Sequence, residues 1–151
     1  MIRKYNEPRP LIEGSQALDI VEMLTASATA DSATVLIKAT AILGKEFTGA
    51  MITKDPAEKL AKLQKTLADT RALRTAASKI PDDQLTDYVW SAIGAWWKLD
   101  LKYGVGAVKN PEGISSTTRN STLAKFDMLI KFLKVEIAKT KLEVAQQSRS
   151  Q

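Results

Sequence analysis

The chain has 151 residues, 44% of them apolar and 26% charged, carries a net charge of +5, and contains neither cysteine nor histidine. That length suits one domain with one core and is short for two, and the balance of apolar and charged residues is that of a chain that folds. The two missing residue types exclude disulfides, thiolate chemistry, imidazole acid–base catalysis and the commonest zinc, copper and haem ligands, so the expectation is no enzyme, no cofactor and no metal.

Residues 1–13 place Pro8 and Pro10 among charged side chains, which suits an extended arm better than a helix. The opening "MIRKYNEPRP" has no apolar run behind its charges, and Glu7 and Glu13 oppose a transit peptide, so neither secretion nor organelle targeting is expected. Ser15 then caps a first helix that carries Ala17, Ile20, Val21, Leu24 and Ala28 along one face. Asp31 caps a second, in which Leu36, Ala39, Leu43, Phe47 and Ala50 keep helical spacing and Val35 and Ile42 widen the stripe.

The third helix has the clearest start. In "KDPAEKLAKLQKTLADTRALRTAASKIP", Asp55 caps, Pro56 takes the first helical position, Glu58 stands where a capping box wants it, and Pro81 ends the segment. Leu60, Leu63 and Leu67 form its apolar seam. Asp82 and Asp83 open a fourth helix that holds all three tryptophans, and Gly104 closes it. After the loop "GVGAVKNPEG", a fifth helix begins within "SSTTRNST" and runs to about Gln147, with Leu123, Phe126, Ile130, Leu133 and Ile137 at alternating spacings of three and four, extended by Thr140 and Val144. A polar tail, residues 148–151, is expected to fray.

No apolar/polar alternation of strand type and no repeat period occurs, so the fold class is all-α: a single-domain bundle of about five helices over residues 14–147 with an extended N-terminal arm. The longest strongly apolar stretch, Tyr88 to Trp97, is far short of the roughly 20 residues that span a bilayer. The location expected is cytoplasmic or within a particle such as a virion.

Charge alternates along the chain: residues 14–53 and 82–104 are each −2, whereas 54–79 and 115–149 are each +4. Segregation of this kind steadies neighbours within a bundle or guides the folded unit onto a partner. On a helical wheel Trp90, Trp97 and Leu101 share one side of the fourth helix, while Val89, Ile93, Trp96 and Tyr103 share the next. Aromatic bulk on two sides fits a helix enclosed by its own domain or one whose second face meets a partner, since Trp and Tyr are enriched at binding hot spots; a third fit, insertion into a membrane surface with Lys98 and Lys102 flanking the indoles, is opposed by the three aspartates at the start of the helix.

Other groupings have simpler accounts. Asp82, Asp83 and Asp87 resemble in spacing the aspartate-rich motifs of helical prenyl-transferring enzymes, but no second cluster accompanies them and a helix start explains them. The glycines and Lys109 after Tyr103 lack the spacing and the strand of a phosphate loop. The hydroxyls and Arg119 before the fifth helix read as N-caps.

The functional expectation is a non-enzymatic structural subunit of a larger assembly, such as a virion or phage particle. It would contact copies of itself or other subunits through Trp90, Trp96, Trp97, Tyr103, Tyr5 and Arg9. The alternative is a basic accessory protein that binds DNA or RNA non-specifically through Lys59, Lys62, Lys65, Arg71, Arg74, Lys131, Lys134 and Lys141 on the third and fifth helices.

Overall fold

A computed structural model describes residues 20, 24, 32–108 and 118–150; 89% of these are helical and none is in a strand. The fold is an all-α bundle of α1 (Ser32–Ile52), α2 (Pro56–Ala77), α3 (Asp82–Tyr103) and α4 (Thr118–Ser150). These are the second to fifth helices of the sequence reading. Of the first, Ile20 and Leu24 are helical and Ile20 is buried in the core; its other residues, the arm 1–13 and Asp31 lie outside the described residues. α4 runs to Ser150, beyond the expected end at Gln147, because Ala145, Gln146 and Gln147 are good helix formers and Arg149 complements the negative end of the helix dipole.

In α1 the whole expected stripe of Leu36, Ala39, Leu43, Phe47 and Ala50 is buried. α2 starts as its sequence dictates, with the Asp55 carboxylate accepting the Glu58 N–H at 2.9 Å and Pro56 in the first turn. Glu58 itself turns to Lys62, 3.1 Å away. Gly104 ends α3 in the left-handed region at φ 72°, its N–H on the Asp100 carbonyl, a conformation glycine adopts without steric cost.

Around the core the helices follow one another as α1, α2, α4 and α3, with α3 closing back on α1. α1 and α2 run antiparallel, since Glu46 meets Thr66 and Thr53 meets Lys62. α2 and α4 do the same, with Arg74 on Asp127 and Ile80 beside Arg119. α3 meets α4 at Phe126, on which Tyr88 and Trp96, two turns apart, both pack, one stacked and one edge-on. Phe47 fills the neighbouring space, edge-to-face with both Tyr103 and Phe132.

Candidate protein interface on α3

α3 has two apolar sides because its aromatic residues fall into two registers. Leu85, Tyr88, Ala92, Trp96 and Leu99 point into the core. Trp96 is 2% exposed, its indole N–H donating to the Tyr88 hydroxyl at 3.1 Å, and that hydroxyl also bonds Thr40 on α1 at 2.9 Å. Burial pushes the Tyr88 phenol up to about 12, against the opposing pull of those two hydrogen bonds. Trp96 is therefore corrected from contact residue to core: a 100° step from Trp97 turns it onto Phe126 and Tyr88.

The other register faces outward. Trp90 is 76% exposed, Leu101 64% and Trp97 41%. With Gly94 they stand at i, i+4, i+7 and i+11, one straight stripe on a helix of 22 residues, about 33 Å long. Asp83 and Asp87 continue the stripe at the N-terminal end, and Lys98 flanks it toward the C-terminal end, all three exposed. A Cβ on Gly94 would have no neighbour within 4 Å among the described residues, so the middle of the stripe is flat and open there. Tyr103 sits at the edge of the core, half-buried against Phe47, with Lys102 over its ring at 5.5 Å. Tyr5 and Arg9 lie outside the described residues.

The basic residues of α2 and α4 divide between two flanks. Lys62 and Lys65 turn toward α1: Lys62 reaches Thr53 at 3.0 Å, and Lys65 holds Asp69, which faces Glu46 of α1. Arg74 turns the other way to a bidentate pair with Asp127 on α4. Arg71, one turn earlier, and Lys131 and Lys134, one and two turns past Asp127, continue that second flank toward Lys141. Lys59, Arg71, Lys131, Lys134 and Lys141 form no ion pair among the described residues.

Two buried polar groups brace the bundle. Asp69, 1% exposed, takes Lys65 at 2.6 Å and lies against the Glu46 carboxyl, which also stands 3.3 Å from the Thr66 hydroxyl. Burial, then the adjacent Asp69, push Glu46 from 4.5 up to about 8, so it is protonated at neutral pH. Its second oxygen is buried and has no donor among the described residues, the place from which a proton would bond Asp69. At the end of α3, the buried Asp100 carboxylate accepts the N–H groups of Ala107 and Val108 at 2.7 Å each, which folds the chain back after Gly104. Burial draws the Lys125 ammonium below its ordinary value, and Asp100 pulls it back up.

Among the described residues no group of three or more carboxylates is placed to hold a metal ion, and no helix is long and apolar enough to cross a membrane. The fold and this surface define an all-α helical bundle with an outward aromatic stripe. Family models, curated proteins and solved structures yield no match to the chain.

Proposed function

We infer that the protein is a non-enzymatic subunit of a larger assembly and that it docks onto its neighbour through the outer face of α3. The observation that supports this is the exposure of Trp90, Trp97 and Leu101 on one stripe, with a second aromatic set already filling the core side of the same helix. Two large indoles and a leucine side by side form the apolar centre that a protein interface needs, and Asp83, Asp87 and Lys98 supply a charged rim.

The test is the mass of the purified protein by light scattering, beside that of Trp90→Ser. Wild type is expected to associate at about 100 μM and the variant to run as a monomer with an unchanged melting curve, since Trp90 contributes little to the core. A monomeric wild type, or a variant that associates equally well, refutes the reading.

The alternative, backbone binding of nucleic acid, draws support from the flank of Arg71, Lys131, Lys134 and Lys141, none of them in an ion pair among the described residues. It is the weaker reading because Lys62 and Lys65 face the other flank and Arg74 is held by Asp127. The absorbance ratio of the same eluted peak at low salt reports any nucleic acid carried.

A further inference from the structure

The outer stripe of α3 has an order of charge along it. Asp83 and Asp87 lie before Trp90, and Lys98 lies after Trp97, with Lys102 a turn further on but about 100° round the helix from Leu101, over the Tyr103 ring. Gly94 stands between the two tryptophans and leaves room for another backbone to approach. Such a pattern is complementary to its own reverse.

Building on the assembly reading above, we propose that two copies of the chain pair through α3, antiparallel, about a two-fold axis at Gly94. In that arrangement position 94+k of one helix stands opposite 94−k of the other. Trp97 of one copy then packs beside Trp90 of the second, on both sides of the axis, and the two glycines meet at the centre. Lys98 lies over the second copy's Trp90 and within reach of its Asp87, so each end of the stripe places acid against base. A parallel pair does the opposite: Asp83 and Asp87 face their own copies, the lysines do likewise, and the helix dipoles align unfavourably. Charge complementarity therefore selects both the partner, a second copy, and its direction.

The chain has no cysteine, so an introduced thiol reports its own neighbourhood alone. Gly94→Cys fits an open site and replaces a poor helix former, so the variant is expected to fold. Under mild oxidation it should form a disulfide-linked dimer as its main product, because thiols at the axis fall within the Cα separation of roughly 4.4–6.8 Å that a disulfide needs. Leu101→Cys should give at least tenfold less, since its two copies stand about 21 Å apart along antiparallel helices. An equimolar mixture of Asp87→Cys and Leu101→Cys should cross-link as the mixed species, positions 87 and 101 being opposite each other.

Equal cross-linking of Leu101→Cys and Gly94→Cys would overturn the antiparallel pair in favour of a parallel one. If no variant cross-links while Trp90→Ser still abolishes association of the wild type, the outer face remains an interface but the pairing at Gly94 is wrong. A monomeric wild type that cosediments with anionic vesicles would overturn both, and would assign the tryptophans to a lipid surface.

Discussion

Replacing Glu46 by glutamine should flatten the dependence of stability on pH, and the sign follows from where the proton sits. Glu46 ionises at about 8 in the folded protein and at 4.5 when its surroundings are removed, because burial and the facing Asp69 carboxylate oppose its charge. Between those values the native state holds a proton that the unfolded chain has released, so stability is fully present below pH 4.5 and falls as pH rises through 8. The entire interval corresponds to about 5 kcal/mol at about 1.4 kcal/mol per unit. Water reaches part of this carboxyl, and the Lys65 ammonium, which holds Asp69, also acts on it, so the loss expected is about 1–2 kcal/mol. The carboxamide of Glu46→Gln keeps a donor for Asp69 and cannot ionise. Urea unfolding of both proteins from pH 5 to 9 should show the variant gaining about 1–2 kcal/mol relative to wild type across that range, or about 3–6 °C in Tm at this chain length. Parallel profiles would refute the argument, since they would mean that Glu46 holds no more protons folded than unfolded.

Substitutions at Asp100, Tyr88 and Tyr103 probe the polar groups inside the bundle. Asp100→Ala removes the acceptor of two backbone N–H groups and leaves the Lys125 ammonium buried without its nearest carboxylate, so urea unfolding should register a loss of about 2–4 kcal/mol, with Asp100→Asn between it and wild type; a loss below 0.5 would contradict the bracing role. Tyr88→Phe strips the hydroxyl shared by Thr40 and Trp96 and should cost about 1–3 kcal/mol by the same measurement. Tyr103→Phe, whose buried hydroxyl has no hydrogen-bond partner among the described residues, should be neutral or slightly stabilising; equal losses from the two tyrosines would show that the hydrogen bonds of Tyr88 carry no net stability.

The helices were legible because each carries its own punctuation. Asp55 and Pro56 open α2, Gly104 closes α3, and the stripe from Leu36 to Ala50 needed only a period of 3.6. The two aromatic registers of α3 were also readable, but which of them faces the core depends on Phe126 and Thr40, which approach from other helices. The buried polar residues were out of reach for the same reason. On α2 the seam of Leu60, Leu63 and Leu67 suggested a leucine face, whereas the core side also holds Thr66, Asp69 and Thr70. Thr66 and Thr70 are tolerated because each hydroxyl bonds the carbonyl four residues back, a local contact that spacing implies. Asp69 is tolerated because Lys65 lies one turn away and Glu46 brings a proton from another helix, 23 positions distant in sequence, which spacing along α2 does not imply.

Enclosure by its own domain is the ordinary reason for a helix to be apolar on opposite sides; among the described residues the second side of α3 carries Trp90, Gly94, Trp97 and Leu101, all exposed. The order of charge along that side has a cause within the single chain. Asp82 and Asp83 occupy the first turn and Lys102 the last, the arrangement that the dipole of an isolated helix favours. A helix whose charges obey its own dipole is complementary to its copy when the two run antiparallel, and repels it when they run parallel. Self-pairing in that direction therefore needs no additional charge design; it needs an apolar stripe and a flat centre, which the tryptophans and Gly94 provide. It follows that charge reversal is a poor probe of the pair, because Asp83→Lys or Lys102→Asp would weaken α3 itself along with any contact. Cross-linking at Gly94 separates the two effects, since that substitution leaves every charge in place and improves the helix propensity by about 0.3 kcal/mol.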